Sequence, residues 1–71
     1  MKVYVLIENY GGVLTGVRVF SEWTKAKSTW EEETGVKWNE WTRYECNVSE
    51  LNPDYDDDKY DIWLEEAIVE E

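Results

Sequence analysis

The densest run of potential ligands in the chain lies at Asp54, Asp56, Asp57, Asp58, Asp61 and Glu65. Asp54, Asp56 and Asp58 stand at positions 1, 3 and 5 of a twelve-residue calcium loop, with the Tyr60 carbonyl at position 7 and Glu65 at position 12. Two positions break the pattern. Lys59 occupies position 6, where such loops turn sharply on Gly, and Asp61 occupies the position that is normally apolar. The sequence therefore favours an acidic, solvated turn. A weak Ca²⁺ site on Asp54, Asp56, Asp58 and Glu65 is the alternative.

Aromatics are interleaved with these acids. Trp38, Trp41, Tyr44, Tyr55, Tyr60 and Trp63 run among Glu40, Glu45, the aspartates, Glu65 and Glu66. Trp and Tyr are the usual anchors of protein interfaces, and carboxylates accept paired hydrogen bonds from Arg. Trp38, Trp41, Tyr55, Asp54, Asp56, Asp57, Asp58, Asp61, Trp63, Glu65 and Glu66 are accordingly the candidate partner-binding residues, and the surface they form suits a basic protein. The competing reading assigns the aromatics to a thin core and the acids to solubility.

Catalytic constellations are sparse. With no His in the chain, no Ser, Thr or Cys nucleophile has an imidazole base, and Cys46 has neither a disulfide partner nor a Cys/His zinc set. Cys46 reads as a small core hydrophobe, because reactive thiols need electropositive surroundings and its neighbours are acidic. A paired-carboxylate mechanism needs a cleft that 71 residues leave little room for. No enzyme activity, cofactor or metal is expected.

These side chains must be positioned by a single domain. A chain of 71 residues buries only about 60% of its unfolded surface, so large rings must supply the packing. The net charge of −10 is unevenly spread: residues 1–35 carry five acids against four bases, and residues 36–71 carry twelve against three. The second half repels nucleic acid and anionic lipid and attracts basic surfaces. The apolar run near the N-terminus is too short for a signal sequence, and no segment approaches the roughly 20 apolar residues of a membrane span. A cytoplasmic protein is expected.

Along the chain, Val3 to Ile7 reads as a central strand covered on both faces. Asn9 to Gly12 is turn chemistry. Val13 to Phe20 resumes a strand with Val13, Thr15, Val17 and Val19 on one face, and Gly16 inside it marks a bulge or a close approach. Ser21 is placed to cap a helix over Glu22 to Thr34 that ends at Gly35 and carries a stripe of Trp23, Ala26 and Trp30, with Lys27 and Glu31 spaced to pair outside. Trp41 to Val48 alternates as a third strand. Tyr60 to Val69 fits a helical template by spacing but is rich in β-formers, and a strand is preferred. The expected fold is α+β, ββαββ, a small antiparallel sheet with one helix packed on it; ββαβα is the alternative.

Residues Lys2 to Glu8, Gly16 to Ser21 and the following helix with Ala26 and Trp30 resemble short uncharacterised ββα proteins of bacteria and their phages. In size, acidity and lack of catalytic apparatus the whole chain resembles small phage-encoded inhibitors, such as anti-CRISPR proteins and DNA mimics. That resemblance implies an inhibitor or adaptor docking on a basic groove of a nucleic-acid-binding protein or nuclease complex, and assigns no residue a role. The other functional expectation is a small cytosolic structural or regulatory module, alone or as a homodimer joined through a sheet edge, in which the acids serve solubility only.

Overall fold

The computed structural model describes residues 1–70. Strands β1 (Lys2–Tyr10) and β2 (Val13–Phe20) form a hairpin, helix α1 (Trp23–Thr34) follows, and after a 3-10 turn (Thr42–Tyr44) and a short helix α2 (Val48–Leu51) the chain enters β3 (Tyr60–Ile68). The sheet is antiparallel with order β2-β1-β3. This is the α+β class expected from the sequence, with a helix packed on one face of a small sheet.

The hairpin closes on Gly11 and Gly12 at φ 60 and φ 83, the left-handed pair that a two-residue turn matched to strand twist requires. A bulge follows at once: Glu8 faces Gly16 while Asn9 faces Leu14, so Thr15 is an extra residue whose hydroxyl donates to the Glu8 carbonyl at 3.2 Å. The bulge shifts the phase of β2. Val17 and Val19 therefore share a face with Leu14, in place of the uninterrupted Val13, Thr15, Val17, Val19 set that the spacing predicts.

Helix α1 begins at Trp23 with Glu22 at its N-cap and no side-chain cap bond, so Ser21 does not take the capping role its type suggests. Its buried stripe is as read: Ala26 and Trp30 enter the core, and Trp23 packs beside them against Tyr4 and Trp38. Glu31 accepts the Trp38 amide at 2.9 Å, which gives it a partner other than the expected Lys27. Gly35 ends the helix at φ 77, and its amide donates to the Glu31 carbonyl at 2.8 Å.

A Cβ on Gly35 would lie 2.8 Å from the Asn52 Nδ2, which itself donates to the Thr34 carbonyl at 3.0 Å. Gly35→Ala should therefore cost about 2 kcal/mol in urea denaturation, from the left-handed backbone and the displaced amide together. Gly16→Ala is the control. Its Cβ would meet only ordinary contacts near 3.7 Å, and a loss at Gly16 equal to that at Gly35 would remove the argument.

The strand expected over Trp41 to Val48 does not form. The Asn39 Oδ1 accepts the amides of Trp41 at 2.8 Å and Thr42 at 3.0 Å, and the Asn47 Oδ1 accepts the Glu50 amide at 3.2 Å to cap α2. Local side-chain bonds of this kind offer the backbone an alternative to the ladder. What remains of strand pairing is the Asn47–Asp61 bridge and the Ile62 amide donating to the Cys46 carbonyl at 2.8 Å.

Over Tyr60–Ile68 the strand prevails over the helical template because all nine residues pair with β1, from Tyr10 opposite Tyr60 to Lys2 opposite Ile68. Ile62 and Leu64 then face inward. With Leu6, Trp30 and Val48, Ile62 forms the core, and Phe20, Val36, Trp38, Leu51, Tyr55, Tyr60 and Leu64 pack around it. All of this lies on one side of the sheet. The other side, where the sequence of β1 predicts a second cover, has no element against it among the described residues: Val3, Val5 and Ile7 are half-buried, and Val17 and Val19 are exposed.

Candidate functional site

The candidate partner-binding residues separate into two groups at either end of β3. The first surrounds a cleft of about 500 Å³ beside the outer edge of that strand, lined by Trp23, Trp38, Glu40, Arg43, Tyr44, Leu64, Glu65 and Glu66. The Trp38 ring meets Trp23 edge-on at 5.3 Å and Trp30 at 5.0 Å between centroids, so Trp38 belongs to the wall and to the core margin together. Arg43, the one cation in the lining, is engaged by the Glu40 carboxylate at 3.2 Å and lies 5.1 Å over the Tyr44 ring. Glu65 is left without a basic partner among the described residues, and Glu66 meets only the exposed Lys2 at 3.7 Å. The cleft thus pairs ring faces with excess negative charge.

The second group is the acidic loop between α2 and β3. It is held in place by its own backbone: the Gly11 amide donates to the Lys59 carbonyl at 3.0 Å, the Asp54 amide to Asn52 Oδ1 at 3.0 Å, and Asn47 Nδ2 to the Asp58 carbonyl at 2.8 Å. Asp57 turns inward to accept the Tyr10 hydroxyl and, at 3.0 Å, the Lys59 amide. Both groups feel the contact: the Asp57 carboxylate raises the Tyr10 phenol, while the phenol hydroxyl and then the Lys59 amide hold Asp57 below the usual carboxylate range. Asp54, Asp56 and Asp58 remain exposed. Tyr55 does not project from the loop; it packs on the core margin, 6.0 Å from the Tyr60 ring.

The remaining candidates go elsewhere. Asp61 accepts from Asn47 Nδ2 at 3.0 Å and closes the bridge between α2 and β3. Trp63 points to the uncovered side of the sheet, and Trp41 stands 85% exposed. Trp23, Glu40, Arg43, Tyr44 and Leu64 line the cleft as well, and no spacing along the chain joins Trp23, read as helix stripe, to Glu65 and Glu66.

The calcium-loop grid does not survive folding. From position 7 onward it is strand, so Glu65 is carried into the cleft and away from Asp54, and no group of three or more His, Cys, Asp or Glu among the described residues is placed to hold a metal ion. Cys46 is partly buried, and burial, with Asp61 and Glu45 nearby, pushes its thiol up and away from the reactive thiolate. Glu8 and Glu33, the carboxylates drawn together on the helix side, are bridged by Arg18, with Glu33 at 3.3 Å, and this tie fastens α1 to the hairpin.

No helix is long and apolar enough to cross a membrane among the described residues. No protein family, no curated protein and no solved structure matches the chain.

Proposed function

We propose that the protein is a non-catalytic, acidic binding protein that docks on a basic surface of a nucleic-acid-handling protein in the cytoplasm, as an inhibitor or adaptor. The observation that carries this reading is the cleft beside β3, where Trp23, Trp38 and Tyr44 stand with Glu65 and Glu66 and the only cation is already neutralised by Glu40. A Lys or Arg side chain entering it meets ring faces and carboxylates at once, the combination that holds cations once they are desolvated. The exposed Asp54, Asp56 and Asp58 add long-range attraction for the same kind of surface.

The test is affinity capture from the source organism on the immobilised protein at about 0.05 M salt, with elution at about 0.5 M, where exposed charges are screened beyond a few ångströms. A parallel column carries Glu65→Lys with Glu66→Lys, and a charge-matched control carries Glu32→Lys with Glu70→Lys. A basic partner should be retained by the wild type and the control and lost by the cleft variant. Retention at high salt, or equal loss on both variants, would sink the reading.

A further inference from the structure

The proposed binding surface leaves the uncovered side of the sheet without a role. Alternation from β1 outward places Val3, Val5 and Ile7 there, flanked by Val17 and Val19 of β2 and by Trp63 of β3. Leu14 and Ala67 extend it at opposite corners, and Leu14, Val17 and Val19 are 60%, 52% and 62% exposed. In a chain of net charge −10, the only carboxylates that the described residues place on this face are those of Asp61 and Glu65, both on the β3 margin, where Glu65 also borders the cleft, and the one other polar side chain on β1 there is Asn9. The smallest Cα extent, 17 Å, accommodates the sheet and one covering layer.

We infer that a second copy of this chain covers that face, the two sheets packing about 10 Å apart as a sandwich with α1 outermost on both sides. Two observations choose this occupant. The first is the thin core: the buried apolar residues among those described number five, Leu6, Ala26, Trp30, Val48 and Ile62, so a second apolar layer is what the fold needs most. A three-stranded face nine residues long offers on the order of 600 Å² per copy, and about 1,200 Å² in total reaches the lower range of stable interfaces. The second is charge. A face nearly free of cations and anions suits neither a basic nor an acidic partner, whereas an isologous contact sets apolar β1 against apolar β1 and leaves the carboxylates of β3 at the rim.

Sedimentation velocity over a range of concentrations tests this. The 8.5 kDa chain should sediment at twice its mass, and association should tighten as salt rises, because two copies of like charge repel while apolar contact does not depend on screening. Val19→Lys and Ala67→Arg lie on opposite edge strands and share only this face, so each alone should weaken association at least about 100-fold by burying an unpaired charge. Both positions are exposed within one chain, and an unchanged far-UV spectrum would verify folding. A wild type that stays monomeric at about 0.5 mM, far above the working range of specific contacts, overturns the proposal. So does a dimer that persists in either variant, which would place the contact on a strand edge. A dimer that dissociates with rising salt also overturns it. The capture experiment above weakens with salt where this one strengthens, so the two fail separately.

Discussion

Trp30→Ala should remove a large part of the protein's stability at 25 °C. Trp30 is 1% exposed and shares one buried cluster with Leu6 and Ile62 of the sheet and Val48 of α2, and Trp38 meets its ring edge-on. Truncating a buried Trp to Ala costs about 3–5 kcal/mol, through lost transfer energy and an unfilled cavity. A 71-residue domain has a total stability of roughly 4–10 kcal/mol, so the loss consumes about a third of it or more. The edge-to-face contact with Trp38 goes as well, and with it one wall of the cleft. Trp41→Ala is the comparison. At 85% exposure it should change stability by less than about 0.5 kcal/mol. Urea titrations followed by circular dichroism at one fixed protein concentration decide this, and a Trp30→Ala loss below about 1 kcal/mol would mean that the core is organised elsewhere.

The second large effect concerns binding, and it should divide between rates. Reversing Asp54, Asp56 and Asp58 to Lys changes the local charge by six units on a loop whose geometry does not depend on those side chains, since the loop is tied through backbone groups and Asp57. Such charges act at a distance, so association with the captured basic partner should slow by about 100-fold at low salt, with dissociation little changed. The Glu65→Lys, Glu66→Lys pair acts in contact, so its effect should fall mainly on dissociation. Surface plasmon resonance at two ionic strengths separates the two. If the loop variant alters only the dissociation rate, the loop is a contact surface and the steering argument is wrong.

Much of the fold is legible in the sequence where local signals agree with global need. Gly11, Gly12 and Gly35 each occupy a left-handed position that side chains resist, and the stripe of Trp23, Ala26 and Trp30 faces the sheet as its spacing predicts. β3 is legible through its composition, because β-branched and aromatic residues prevail over a helical count once β1 offers nine partners. The segment from Trp41 to Val48 is not, because its alternation is genuine but Asn39 and Asn47 divert the backbone into turns by bonds that no periodicity records. The same limit applies to the site. Glu65 and Glu66 were visible as acids near aromatics, but Trp23 joins them across some forty positions of sequence, and only the folding of α1 against the sheet brings them together. The calcium pattern failed for a related reason: a spacing rule counts residues as if they stayed in a loop, and strand pairing had already taken Tyr60 through Glu65.

The sheet also separates charge from its absence. The glutamates of α1 and the aspartates of the loop lie to one side of it, and the Val17, Val19 and Trp63 face carries almost none. A single chain is therefore an electric dipole whose axis runs roughly across the sheet. Near a positively charged surface it experiences a torque as well as an attraction, and it turns its helix side forward before contact is made. When two copies meet by their bare faces the dipoles oppose and cancel, and the assembly has no front. It presents acid outward in both directions and can bridge two basic surfaces, a geometry that a lone chain does not possess.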